Sequence, residues 1–411
     1  ATVKTAGIIA EFNPFHNGHA YLIQQAVHRA DAGAVVVIMS GEFVQRGAPA
    51  VMNQYLRAEC ALLSGADLIL QLPVCYATSS ADYFASGAVR SLAASGLVDT
   101  LVFGCETEQP DLLVRAASLT EDEGFQASLY RGLSEGRNYP AAYFAAISEH
   151  LPADEQEALR PLFDAPNNLL AMAYLRQIRE LGQPFDFCAV TRAGDAYHQP
   201  VPTGSRYPSA TALRTMLESG QSEQAFLGMP EPVRALMREH YRQDYPVFGS
   251  DLSGPLSWPL LTVSAEALAA IPGIGSDLAA RIVNLRDSYN GFDAFVRSLK
   301  TRQVTQTRIQ RALIHLLLDV REIPERPPYL RVLGVRGNTG RELLSALHKN
   351  STLPVVTSLN EARQRFAASG DDAALRLLDC EINAGTLARY LVRERYGTVL
   401  PNEYQRGMLM L

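Results

Sequence analysis

The stretch TAGIIAEFNPFHNGHAYLIQQA, residues 5–26, carries two patterns in succession. A mostly apolar run, AGIIAEF, reads as a buried strand, and a helix-like run follows it. His16-Asn17-Gly18-His19 falls between them, where the strand gives way to the helix. A helix that opens near Gly18 points free N–H groups and the positive end of its dipole toward the strand's carboxyl end. The stretch therefore predicts a βα unit with two imidazoles and a glycine at a ready-made anion site.

Further out, short β-rich runs recur at 34–40 (AVVVIMS), 67–73 (DLILQLP) and 100–105 (TLVFGC). Helix-compatible segments lie between them at about 19–31, 54–65 and 80–95. Buried strands alternating with helices predict βαβ crossovers and a parallel sheet. Residues 108–182 turn mostly helical, and a fifth strand, FDFCAVTR (185–192), precedes the helix start PSATALRTMLES. The expected fold is α/β, a Rossmann-like doubly wound domain over 1–217 with a helical insertion at 108–182. Residues 218–325 read as all-helical. There LAAIPGIGSDLAARIVNLRD is either a helix-hairpin-helix that holds a nucleic-acid phosphate or a tight αα-turn with glycine caps. A small C-terminal α/β segment is expected over 326–411, with a strand near 330–335 and a helix near 340–349.

The 411 residues allow two to three domains, and 47% hydrophobic with 19% charged residues describes an ordinary globular chain. No apolar run approaches the roughly 20 residues that span a bilayer. The N-terminal stretch does not read as a signal peptide. Cys60, Cys75, Cys105, Cys188 and Cys380 are scattered and form no C-x-x-C pair, which fits reduced thiols in a cytoplasm and no zinc site. The net charge of -6 hides an asymmetry: residues 281–349 hold 13 Lys and Arg against 6 Asp and Glu. Such a basic region fits a polyanion partner.

In an open parallel sheet ligands bind beyond the carboxyl ends of the strands. Gly18 there would let a flat base or ribose approach the backbone. His16 and His19 would donate hydrogen bonds to phosphate oxygens. They would act most when α-phosphorus is attacked and charge moves toward leaving pyrophosphate. Surface histidines on a first helical turn are the structural alternative.

Here the chain resembles the nucleotidyltransferases and class I synthetases that share the H-x-G-H signature, and SATALR (209–214) resembles their second, phosphate-holding signature. With MSGEFVQRGAPAV, GADLILQLP, FGCE, PNNLLAMAYL and TRQVTQTRIQRALIHLLL, the chain is similar to the bacterial tRNA(Met) cytidine acetate ligases. That resemblance implies ATP and acetate as substrates and an acetyl-adenylate intermediate, and chemistry at the α-phosphate of ATP calls for Mg²⁺ as cofactor. It also implies elongator tRNA(Met) as partner, its wobble cytidine becoming N(4)-acetylcytidine. Carried over by position, the ATP site takes Gly7, Ile8, Ile9 and Ala10 from the strand, Glu11, Phe12, Asn13, Pro14 and Phe15 from the turn, and Asn17, Gly18 and Ala20 from the helix start. It adds Gly104, Asn167 or the adjacent Asn168, Arg192, and Ser209, Thr211 and Arg214. Catalysis is assigned to His16, His19 and Arg46, the last neutralising acetate or the reacting phosphate. Glu11 holds Mg²⁺ or orients a histidine. Acetate itself attacks phosphorus, so Cys105 needs no catalytic role. Lys300, Arg302, Arg308 and Arg311 are expected to grip tRNA phosphates, away from the adenylation chemistry.

A small-metabolite nucleotidyltransferase is the competing enzyme class, although such enzymes are typically half this length and lack a basic helical extension. A nucleic-acid binder with an inactive nucleotide domain is the third reading, opposed by the intact His16, His19 and Arg214.

Overall fold

The computed structural model describes residues 3–192 and 207–411. The strands of the main sheet are β1 (Thr5–Ala10), β2 (Ala34–Ser40), β3 (Leu68–Leu72), β4 (Thr100–Cys105), β5 (Asp186–Thr191), β6 (Leu330–Val335), β7 (Val355–Val356) and β8 (Leu409–Met410). Among the described residues they form one sheet of order β8-β6-β3-β2-β1-β4-β5, with β7 beside β6. The five strands from β3 to β5 pair in parallel. The chain winds outward from β1 in both directions, which makes a doubly wound, Rossmann-like α/β fold. The apolar runs follow from burial of both faces. Val36, Ile38, Leu68 and Leu70 join one core cluster, while Val35, Val37, Met39 and Ile69 join the other. Alternate side chains point to opposite faces of a strand.

Helices cover both faces: α1 (Asn17–Arg29), α2 (Gln54–Leu63), α3 (Ala81–Ser95), α4 (Pro166–Glu180), α5 (Ala210–Glu218), α6 (Gln306–Leu318), α7 (Gly337–Asn350) and α8 (Asp372–Tyr396). Four shorter helices occupy 111–159, the insertion. A two-stranded hairpin, Phe43–Val44 with Ala48–Pro49, stands beyond the end of β2.

Residues 326–411, expected as a segment of their own, extend this same sheet. β6 pairs antiparallel with β3, with a register shift between Ile69 and Leu70, and β7 and β8 pair parallel with β6. The physical reason is the edge: without β6, the apolar β3 would present unpaired backbone. A buried network locks the addition. Arg331 of β6 donates to Glu403 at 3.1 Å and to the Tyr55 hydroxyl at 2.8 Å, and that hydroxyl donates to Glu403 at 2.7 Å. The PGIG turn packs on α6, where His315 Nδ1 donates to the Pro272 carbonyl at 2.8 Å. Among the described residues no helix is long and apolar enough to cross a membrane.

Candidate active site

An open cleft lies over the carboxyl ends of β1, β4 and β5. It sits between β1 and β4, where the winding changes direction. Ile9 and Ala10 line it from β1, Phe103 and Gly104 from β4, and Val190 and Arg192 from β5. The first turns of α1, α4 and α5 face the same space through Gly18 and His19, through Pro166 and Asn167, and through Ala210. Three helix N-termini and little acid make the cleft a site for an anion.

The two histidines are held by the backbone of their own turn. His16 is the N-cap of α1, and its Nδ1 accepts from the Gly18 N–H at 3.0 Å. His19 Nδ1 accepts from the His16 N–H at 3.2 Å. The rings stack with centroids 3.6 Å apart, and the buried Phe12 meets His19 edge-on. An imidazole whose Nδ1 accepts is neutral with its proton on Nε2, so both rings present an N–H donor from the other side. Electrostatics agree. Burial, then His19 and the arginines Arg192 and Arg214, holds His16 well below the usual range. Burial and Arg192 bring His19 down to about 3. Neutral, pre-aimed donors can stabilise phosphate oxygens without first losing a proton.

Glu11, at the exit of β1, accepts from the Gln45 N–H at 2.8 Å and from the Ser40 hydroxyl at 3.1 Å. It tethers the hairpin loop, while backbone amides orient the histidines. Burial raises its carboxyl above the usual range, opposed by those bonds and by Arg57 and Arg214. Among the described residues it is the one acid lining the cleft, against Arg46, Arg192, Arg214 and Arg311. Arg214 donates to the Asn13 carbonyl at 2.8 Å and to Thr211 Oγ1 at 3.0 Å. Thr211 thereby positions Arg214, and Ser209 caps α5 by accepting from the Ala212 N–H at 3.1 Å.

Asn167 lines the cleft and donates to Glu106 Oε1 at 2.7 Å, which Arg192 also meets at 3.4 Å. Asn168 is buried and accepts from the Glu106 N–H at 2.8 Å, so it shapes the loop after β4. A Cβ on Gly104 would lie 3.2 Å from Arg192 Cγ, so glycine leaves room for that side chain.

Several other residues read from sequence as ATP ligands have side chains packed in the core. A Cβ on Gly7 would meet Val98 at 2.8 Å, and Ile8 is fully buried. Pro14 and Phe15 are buried, and Ala20 packs on the core. The backbone N–H of Asn17 donates to the Gly228 carbonyl at 2.9 Å.

Of the four residues read as gripping tRNA, Arg311 is the one that reaches the cleft. It lines the cleft and donates to the Gln45 carbonyl at 3.1 Å, while Lys300, Arg302 and Arg308 are exposed. Sequence reading also missed Arg57. Fully buried, it donates to the carbonyls of Met52 at 3.0 Å, Glu11 at 2.6 Å and Ser40 at 3.0 Å, and to that of Gly41. Its one signal is an arginine among the apolar residues of QYLRAECALL.

A doubly wound sheet whose switch point carries an H-x-G-H turn under a ring of arginines defines a nucleotidyltransferase. The family model described as HIGH Nucleotidyl Transferase matches residues 3–398. The tRNA(Met) cytidine acetate ligase of Syntrophomonas wolfei is 34% identical over 387 residues, 91% of this chain and 92% of its own. The enzyme of the same name from Acetivibrio thermocellus is 32% identical over 399 residues, 94% of each chain. Two crystal structures of Thermotoga maritima TmcAL, one apo and one bound with alpha-thio ATP, are each 28% identical and cover 99% of both chains. Their TM-scores are 0.91 and 0.89. The chain belongs to the tRNA(Met) cytidine acetate ligase family of HIGH nucleotidyltransferases.

Proposed function

We propose that the chain activates acetate with ATP and passes the acetyl group to the wobble cytidine of elongator tRNA(Met). An acetate oxygen bonds to the α-phosphorus while the bond to the bridging oxygen breaks, and pyrophosphate leaves with that electron pair. The exocyclic amine of cytidine then attacks the acetyl carbon, AMP departs, and the nitrogen loses a proton to give N(4)-acetylcytidine. The observation that carries this reading is the pair of stacked, neutral imidazoles facing a cleft lined by four arginines. Two N–H donors and those cations offset the charge that builds on the phosphates. Arg46, exposed on the hairpin at the cleft rim, neutralises acetate or the reacting phosphate.

Mg²⁺ fits the same cleft. Among the described residues no group of three His, Cys, Asp or Glu forms a cage, and this ion is commonly held by one carboxylate plus substrate phosphates. Glu11 would be that carboxylate, and the ion supplies further neutralisation of phosphate charge. The test is to incubate the protein with ATP, Mg²⁺ and labelled acetate, with and without tRNA(Met). Label is expected in acetyl-adenylate without tRNA and in N(4)-acetylcytidine with it. Label in neither product would sink the reading.

A further inference from the structure

α6 belongs to the helical region, yet it reaches the nucleotide cleft. Thr307 and Arg311, four residues apart on one helix face, both line it. The approach is close and built. Gly47, at the hairpin turn with φ of +82°, has no room for a side chain. A Cβ there would lie 2.5 Å from Gln310 Cβ and 2.7 Å from the Arg311 nitrogen. Arg311 donates one bond from Nη1 to the Gln45 carbonyl, and the Gln45 N–H is held by Glu11. One guanidinium has five N–H donors in a rigid fork, so most of this one remains to be satisfied from the cleft. Burial, and then the neighbouring Arg308, pulls its pKa down to about 10, so it still carries its charge at neutral pH. Among the described residues no carboxylate pairs with this half-buried cation, and such a charge is costly unless an anion arrives.

We propose that Arg311 binds the β- and γ-phosphates of the nucleotide, so that the helical region completes the adenylation site instead of acting on tRNA alone. The assignment rests on the nucleotide reading above. The imidazoles line the cleft from α1 and Arg214 lines it from α5, and Arg311 adds a third approach from α6 through the hairpin loop. A charge there also favours departure of pyrophosphate, the group on which negative charge accumulates.

Arg311→Ala and the gentler Arg311→Gln test this by titration calorimetry with ATP and with AMP, and by acetate-dependent ATP–pyrophosphate exchange. ATP affinity is expected to fall tenfold or more in both variants while AMP affinity stays within threefold. The exchange rate is expected to fall by about a hundredfold. Unchanged ATP affinity would overturn the proposal. So would equal losses for ATP and AMP, because a merely displaced hairpin would weaken both nucleotides. If wild-type protein shows no acetate-dependent exchange but Arg311→Ala still loses ATP and not AMP, the acetate reading falls and the phosphate assignment stands.

Discussion

The two walls of the cleft are built by opposite means. The wall at β1 is local: Ala10, Glu11, the two histidines and Gly18 lie within ten residues, and the turn's own amides orient both rings. The other wall is assembled across the chain, from the hairpin, α2 and the distant α6. The hairpin of 43–49 is tethered to Glu11, seated on Gln310 and Arg311, and backed by Arg57 through the carbonyls of Glu11, Ser40 and Gly41. A local wall keeps its geometry wherever the βα unit folds. An assembled wall depends on α2 and α6 as well, and so is the one able to respond to events elsewhere in the molecule.

The largest expected effect falls on the local wall. His16→Ala and His19→Ala should each lower acetate-dependent exchange a hundredfold or more, since one lost transition-state donor costs about 3 kcal/mol. His16→Ala also removes an N-cap, worth about 1 kcal/mol of stability, whereas His16→Asn keeps a capping side chain. His16→Asn is therefore expected to unfold in urea close to wild type yet to remain as inactive as His16→Ala. Exchange within threefold of wild type in His16→Asn would mean that the imidazole serves only the helix.

The same division explains what the sequence disclosed. The five parallel strands and the H-x-G-H turn were legible because each is a run of consecutive residues with its own period. Gly104, Asn167, Arg192 and Arg214 were assigned to the ATP site by family resemblance, and all four line the cleft. Arg311 was read as facing tRNA because its neighbours are basic. Its bond to Gln45 spans 266 positions, and no local pattern records which residue of a helix face turns inward. Arg57 and the pairing of β6 with β3 escaped for the same reason, since a buried arginine and the neighbour of an edge strand are defined by distant partners.

A smaller effect separates the walls by pH. Beside the hairpin, Glu42 accepts from the Gln54 N–H, and burial, then Glu403, raises its carboxyl from 4.5 to about 7. The folded protein thus keeps a proton that the unfolded chain gives up, so this group's stabilisation is present below pH 4.5 and is lost as pH rises through 7. The histidines act the other way. Their depressed values mean that stability is present above 6.5 and lost as pH falls, equally in wild type and a Glu42 variant. Glu42→Gln, a lasting mimic of the protonated form, should gain roughly 1 kcal/mol or more relative to wild type between pH 5 and 8. Urea midpoints across that range measure it, and a constant gap between the two proteins would assign the titration elsewhere.

The smallest effect concerns the outer face of α6 and the loop before it. Much of the basic surplus of residues 281–349 is already engaged inside the protein. Arg331 pairs with Glu403, Arg336 with Asp67 at 2.8 Å, and Arg286 donates to the Val263 carbonyl at 2.6 Å. Arg311 faces the cleft. Lys300, Arg302 and Arg308 stay exposed, in a stretch with no acid from 294 to 318. If these three hold tRNA phosphates, each change to Ala should reduce the slope of log affinity against log salt by about 0.9. Affinity should fall only severalfold, and equally for matched and mismatched tRNAs, because phosphate contacts carry no base information. Exchange without tRNA should persist in all three, in contrast to Arg311→Ala, although Arg308 stands only one turn from Arg311 on the same helix. Filter binding across a salt series, with exchange measured on the same preparations, checks both halves. An unchanged slope in the triple variant would move the tRNA surface off this face. Exchange lost along with binding would mean that the assembled wall extends further round α6 than Arg311.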